Sequence, residues 1–419
     1  MRHSCRALAV LLLGGLFGAC SGERETSVRW VGTWAAAPQA VMPGTLETFH
    51  DQQLRLIVHT SIGGSQVRIH LSNELGDKPL EIAGARIARR QRDSDVVGAG
   101  ERLLTFAGKP SAVIAPGGAV TSDAMGFDVP AFADLAITLS LPGTAAATTS
   151  HFLALQTNYV SAPGSARAAA FAAAKTIAIW PFLTAIDVVP RGEATAVVVF
   201  GDSTVDGDGS ASNANRRWPD YLARRLAGGA GARQFGVLNL GLIGNRLLRD
   251  SPGAASDFGD ALGSSGIKRF ERDALGQARV GYVVLRLGVN DLGFPGSFTG
   301  DEIPPKASDL IAGYRKLAAA TRARGARIIA TTITPFAGTA AAPGFFSPDK
   351  EMLRQEINAW MRTAPEFDGV IDADAALRDP ADPSRLLAAY DSGDHLHPGD
   401  AGNEQLVAVT PLAAFGLTR

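Results

Sequence analysis

Ser203, Asn290 and the pair Asp394 and His397 are the residues whose types and spacing suit acyl-transfer chemistry. A serine hydroxyl attacks a carbonyl when a base takes its proton, and a carboxylate must orient that base. Asp394-His395-Leu396-His397-Pro398 supplies both partners, with Asp394 and His397 spaced for the carboxylate to orient the imidazole. Asn290, in Leu287-Gly288-Val289-Asn290-Asp291, offers an amide that can hydrogen-bond a developing oxyanion. Each piece also has a plainer reading. Gly201-Asp202-Ser203 is a common turn tripeptide, and Ser203 can serve as a helix cap. Asn290-Asp291 can close an Asx turn, and 394–398 can be a solvated loop. The G-x-S-x-G elbow of ordinary α/β-hydrolases is excluded, because Val205 stands where it needs glycine.

These residues need elements that bring them together. From Ala194 onward the pattern alternates strand and helix. Ala196–Phe200 is a continuous apolar run, as expected of a strand buried on both faces. Further strands are expected at Val237–Leu240, Tyr282–Leu287, Arg327–Ile333 and Gly369–Asp372. Helices are expected at Trp218–Leu226, near Ile267–Leu275, and at Asp309–Arg324, Glu351–Thr363 and Asn403–Phe415. Five strands alternating with helices predict a doubly wound parallel sheet, with its site at the carboxyl ends of the strands. Ser203 and Asn290 directly follow two of those strands. Of the seven histidines, only His395 and His397 fall in this half.

Residues 30–190 have a different rhythm. Gln53–Thr60, Gln66–Ser72, Leu80–Ile87, Asp134–Leu141 and Phe152–Val160 read as short strands, and Gly63-Gly64 as a turn. They predict an all-β sandwich or jelly roll. Ile177–Val188 reads as its last strand, and the Ala-, Ser- and Thr-rich stretch 142–178 contains a loop. The 419 residues are 46% hydrophobic, which excludes global disorder. A net charge of −1 excludes a nucleic-acid partner bound through a basic surface.

The two cysteines, Cys5 and Cys20, lie in the first twenty residues, so the rest of the chain has neither disulfide nor thiolate nucleophile. Arg2, His3 and Arg6 precede the apolar run Ala7–Phe17, which is too short to span a bilayer and reads as an export signal. Phe17-Gly18-Ala19-Cys20-Ser21 resembles a bacterial lipobox, with Phe17 in place of the usual Leu. That resemblance implies a signal peptide at 1–19, acylation of Cys20 as the mature N-terminus, and a tether at 20–29. The alternative is an ordinary secretory signal. Both export the protein, to the periplasm, the outer membrane or beyond, and the lipid would be its one membrane contact.

Ser203, Asn290 and Asp394/His397 occur in order, with Asn239-Leu240-Gly241-Leu242-Ile243-Gly244-Asn245 after the second expected strand. The set resembles the SGNH (GDSL-type) hydrolase superfamily. Its blocks match Gly-Asp-Ser at 201–203, Gly244, Gly-x-Asn-Asp at 288–291 and Asp-x-x-His at 394–397. Thr204-Val205 departs from the usual Leu or Ile followed by Thr. Gly32-Thr33-Trp34, His59–Gly64, Val67–Glu74 and Arg216–Asp220 further resemble a bacterial subgroup of acetylesterase- and arylesterase-like proteins, in which a β-sandwich precedes the SGNH domain.

The resemblance implies a flavodoxin-like fold at 191–419, with Ser203 as nucleophile, His397 as base and Asp394 as its orienting carboxylate. The N–H groups of Ser203 and Gly244 and the Asn290 side chain would form the oxyanion hole. No cofactor or metal is implied. The expected substrate is a small-molecule or glycan ester with a short acyl group, acetyl on polysaccharide being the sharpest form. Alternatives are a lipase or lysophospholipase, a non-catalytic carbohydrate-binding lipoprotein, and a metal-dependent phosphoesterase using Asp202, Asp206, Asp208, Asn290, Asp291, His395 and His397. Asp202 and Asp291 are expected to fix loops, Asp206 and Asp208 to be turn carboxylates, and His395 to be structural or at the rim. Asn245 and Arg246 are candidates to line the cleft, and Trp34, Trp218 and Trp360 are expected in the core.

Overall fold

A computed structural model of the protein describes residues 29–98, 100–229, 233–254 and 256–417. The expected signal peptide, Cys20 and tether residues 20–28 lie outside the described residues. Among the described residues, no helix is long and apolar enough to cross a membrane.

Up to Val188 every strand pairing is antiparallel, and two sheets dominate. One sets Val31–Ala35, Leu183–Val188, Gly64–Ser72 and Met125–Val129 side by side. The other has Thr48–His59 and Asp134–Ala146 at its centre. Alternation explains their packing. Leu54, Leu56 and Val58 of one sheet share an apolar cluster with Val67, Ile69 and Leu71 of the other.

The structure corrects several boundaries in this half. The expected strand Leu80–Ile87 divides at Ala83 into Leu80–Ile82 and Gly84–Arg92, which pair with different partners. The stretch 142–178 is more ordered than its composition suggests. Asp134–Ala146 runs through it because a bulge between Leu141 and Thr144 absorbs Pro142, which lacks an N–H, and Gly143, at φ +64°. Ala173–Ile177 adds an edge strand. Conversely, the expected strand Phe152–Val160 survives only from Asn158.

The second half is built on five parallel strands in the spatial order Gln234–Gly241, Ala194–Gly201, Val280–Arg286, Arg327–Thr331 and Gly369–Ile371. Ala194–Gly201 pairs on both sides and is covered on both faces. Ala196, Val198 and Phe200 join the cluster of Leu310, Tyr314 and Leu317, whereas Val197 and Val199 join that of Trp218, Leu222 and Leu406. That double burial is why the strand reads as an unbroken apolar run. The expected helix Asn403–Phe415 is instead Asp400–Ala408 followed by a 3₁₀ turn, Leu412–Phe415. Pro411 stands at the break, where it lacks the N–H a continuing helix needs.

The halves are packed backbone to backbone. A Cβ on Gly236 would lie 2.0 Å from the Gly32 carbonyl oxygen. The outer strand Gln234–Gly241 is thereby covered, and Val237 N–H donates to Ser61 Oγ across the junction at 3.0 Å. Gly236→Ala should therefore cost about 1–3 kcal/mol by overpacking. Gly126→Ala, at a site with nothing within 4 Å, should not destabilise the protein. Urea unfolding midpoints of the two variants check the contrast.

Candidate active site

The first parallel strand stops at Gly201, where a Cβ would sit 2.3 Å from both the Arg286 carbonyl oxygen and Val205 Cγ2. Asp202 then caps the one-turn helix Ser203–Asp206, its Oδ1 accepting from Thr204 N–H at 3.0 Å and Thr204 Oγ1 at 2.7 Å. Ser203 is thus the first helical residue and not the cap. Its position at the strand end follows from the abrupt strand-to-helix switch that Gly201 permits.

Ser203 Oγ lies 2.8 Å from His397 Nε2, and His397 Nδ1 lies 2.5 Å from Asp394 Oδ2. The other Asp394 oxygen accepts the N–H groups of Leu396 at 2.9 Å and His397 at 2.8 Å. A carboxylate facing Nδ1 keeps that nitrogen protonated and leaves Nε2 to accept from the serine hydroxyl. Burial pushes the His397 pKa down. The hydrogen bond to Asp394 and the charges of Asp208 and Asp394 push it up and prevail, leaving it above the ordinary histidine value. Asp208 contributes from 3.8 Å. Burial raises the Asp394 pKa, but His397 and the two amides hold it well below the usual carboxylate range.

Asn290 sits in the short helix Val289–Gly293, entered through Gly288 at φ +126°. Its Nδ2 donates to the Asn245 carbonyl at 3.0 Å, which joins it to the loop bearing Gly244. Gly244 has φ +69°. Among the described residues, the backbone N–H groups of Ser203 and Gly244 donate to no protein acceptor. The loop around them is pinned from several directions. Asn245 Nδ2 donates to the Leu262 and Ser264 carbonyls, at 2.9 and 2.8 Å, and its Oδ1 accepts from Arg269 Nε at 2.9 Å. Asp291 accepts from Leu247 and Leu248 N–H at 2.7 and 2.9 Å. Burial nevertheless raises its pKa to about 6.

Other expectations divide. Asp202 and Asp291 do fix loops. His395 is half exposed and pairs with Asp391 at 2.5 Å. Trp34 and Trp218 are buried, and Trp360 is half-buried beside Tyr314. Asn245 is buried, and Arg246 pairs with Glu302 and stacks on Phe294, 5.2 Å from its ring centre. Asp206 is no turn carboxylate. It is buried, accepts Ile243 N–H at 3.0 Å, and meets His151 Nε2 at 2.8 Å. Asp208 is not merely a turn residue either, given its place beside His397. The metal alternative loses its ligands to these partners: Asp202, Asp206, Asp291 and His395 are each engaged within the protein. Sequence reading missed His151 and Arg269, which no motif marks.

Residues 199–405 match the profile of the GDSL-like Lipase/Acylhydrolase family. Among solved structures, the chain is similar to the lipase/acylhydrolase from Enterococcus faecalis, at 19% identity and a TM-score of 0.38, covering 54% of this chain and 97% of that one. It is also similar to the native aryl esterase of M. smegmatis, at 18% identity and a TM-score of 0.39, covering 53% and 97%. No curated protein matches the chain.

The surroundings of His397 predict a ring that titrates above the ordinary histidine value. Asp208→Asn should lower that pKa, and Asp394→Asn should lower it as well. Histidine ring NMR of the three proteins measures the order.

Proposed function

We propose that the chain, whose residues 199–405 match the GDSL-like lipase/acylhydrolase family, is a serine esterase that hydrolyses carboxylic esters through Ser203, His397 and Asp394. The observation that carries this reading is the unbroken relay from Ser203 Oγ to His397 Nε2, at 2.8 Å, and from His397 Nδ1 to Asp394, at 2.5 Å.

In this mechanism Ser203 Oγ attacks the ester carbonyl while His397 Nε2 takes its proton. Asp394 stabilises the imidazolium without itself becoming protonated. The oxyanion is received by the unengaged N–H groups of Ser203 and Gly244 and by the Asn290 amide, which has one hydrogen on Asn245 and a second to offer. His397 returns its proton to the leaving alcohol. A water then attacks the acyl-enzyme with His397 again as base, releasing the carboxylic acid and restoring Ser203.

The finer reading is a short-chain esterase, with acetyl groups on polysaccharide as the favoured substrate. Its support is the expected export and the β-rich companion. We read residues 30–190 as a β-sandwich accessory domain and 191–419 as a doubly wound, flavodoxin-like catalytic domain, on the change from antiparallel to parallel pairing between Val188 and Ala194. Export and lipidation at Cys20 rest on the basic start, the short apolar run and the lipobox-like residues.

Wild type should hydrolyse p-nitrophenyl acetate faster than longer acyl esters, and Ser203→Ala should abolish turnover while the protein stays folded. Preference for long chains would move the substrate to lipids. Absence of Ser203-dependent turnover on every ester would overturn the assignment. Asn290→Ala should reduce kcat by about 100- to 1000-fold, the usual effect of one lost oxyanion donor. The base must be neutral, so kcat/KM should fall as pH drops through the raised His397 pKa. In Asp208→Asn that acid limb should move to lower pH. Identical profiles would remove Asp208 from the site.

A further inference from the structure

His151 belongs to the β-rich half, on the two-residue strand Ser150–His151, yet its ring reaches into the other half. Nδ1 lies 2.9 Å from the Ala37 carbonyl oxygen and Nε2 2.8 Å from Asp206 Oδ1. Both contacts are acceptors, so a proton is needed on each nitrogen, and the ring is an imidazolium facing a carboxylate. Burial disfavours that charge, but Asp206 and the Ala37 carbonyl outweigh it and raise the pKa. The neighbouring cation, Arg217, is held by Asp220 at 2.8 Å and does not compete for Asp206. The side chains of His151 and Asp206 are 4% and 1% exposed, so water does not substitute for either partner.

Asp206 is the last residue of the one-turn helix that Ser203 begins. Its backbone is already fixed. Its carbonyl accepts from Asn239 Nδ2 at 3.2 Å, and its N–H packs so closely on Gly241 that a Cβ there would lie 2.1 Å away. What remains to be set is the carboxylate, and its second oxygen accepts Ile243 N–H at 3.0 Å. Ile243 directly precedes Gly244, whose N–H is one of the proposed oxyanion donors. The chain of contacts therefore runs from the β-rich half to the oxyanion hole: Ala37 carbonyl, His151, Asp206, Ile243 N–H, Gly244.

Resting on the esterase reading above, we propose that His151 is a positioning residue of that site: paired with Asp206, it holds the Ile243–Gly244 segment where Gly244 N–H can receive the oxyanion. The β-rich half is then a working part of the catalytic centre. Without His151, Asp206 is a buried carboxylate without its countercharge, a costly state that it relieves by taking a proton or turning away. Either change weakens its grip on Ile243. The effect falls on the transition state, where the oxyanion exists, and spares ester binding.

The test compares His151→Ala, His151→Gln and Asn213→Ala with wild type on p-nitrophenyl acetate, with rates scaled to the folded fraction from circular dichroism. Asn213→Ala cuts the same junction elsewhere, removing the bonds from Gln156 Nε2 at 2.9 Å and Thr157 N–H at 2.7 Å without touching Asp206. His151→Ala should lower kcat by about 100-fold, the scale of a lost oxyanion donor, with KM within about twofold. His151→Gln, which keeps a neutral donor, should recover part of the loss. A boronic acid that forms a tetrahedral adduct on Ser203 should lose affinity in step with kcat. Asn213→Ala should lower stability alone. If His151→Ala does not fold, His151→Gln decides, by a reduced kcat at unchanged KM or by none. Unchanged kcat and boronate affinity in folded His151 variants would overturn the proposal while leaving the esterase reading intact. Failure of the esterase reading shows separately, as wild type with no Ser203-dependent turnover.

Discussion

Arg269 lies fully buried where the first two parallel strands end. Where parallel strands stop together, buried carbonyl oxygens at their carboxyl ends need donors, and the Gly201 carbonyl takes one from Leu242 N–H at 3.2 Å. Arg269 supplies a further donor, bonding Gly201 at 2.7 Å and Leu240 at 3.1 Å, while its Nε holds Asn245 at 2.9 Å. Asp273, one helical turn on, balances the charge at 3.2 Å, and the Phe200 ring centre lies 3.9 Å from the guanidinium carbon. Burial alone makes this cation expensive and lowers its pKa. The cost is offset only because each face of the fork has a partner. Gly201 leads into Ser203, and Asn245 follows Gly244. One guanidinium thus sets the spacing between the attacking hydroxyl and the loop that would receive the oxyanion.

Rigidity on that side contrasts with the side that carries the base. Ser203 is 4% exposed and His397 7%, but the Asp394 side chain is 42% exposed. The orienting carboxylate is held by its own local loop, through the amides of Leu396 and His397, and not by the core. Burial still works against its charge, but His397 and the two amides outweigh that cost. The carboxylate therefore stays ionised across the range in which His397 must cycle between neutral and charged forms. The buried carboxylates Asp206 and Asp291, by contrast, are spent on holding backbone amides.

The legible parts of the sequence were those in which one residue's neighbours along the chain are also its neighbours in space. Asp394 and His397 share a loop, and Ser203 and Asn290 directly follow strands whose apolar runs declare them. Interactions across the fold left no such trace. His151 and Asp206 are 55 residues apart and belong to halves with different rhythms, so each alone reads as ordinary. Directly after His151, alternation suggests a strand over Phe152–Val160. The chain instead runs irregularly from 152 to 157, where Leu155, Gln156 and Thr157 bond to Asn213 of the other half. Ala173–Ile177 was hidden for another reason: Ala173, Ala174 and Lys175 carry little strand propensity, and pairing with Asn158–Ser161 makes the strand.

That dependence on partners extends to the junction itself. An outer strand of a parallel sheet presents unpaired backbone groups and an apolar face, and proteins cover such edges. Here the covering is not generic. Gly32 and Gly236 let the two backbones touch, Ser61 takes Val237 N–H, and Gln39 Nε2 donates to the Ala261 carbonyl at 2.6 Å, beside Leu262, against which Gly244 packs. The β-rich half therefore grips the α/β half at the sheet edge, at the one-turn helix bearing Asp206 and at the loop supporting Gly244. A structural cap would need only the first of these contacts. The other two lie on elements that flank Ser203 and Gly244, so the fit between the halves and the geometry of the site are one constraint.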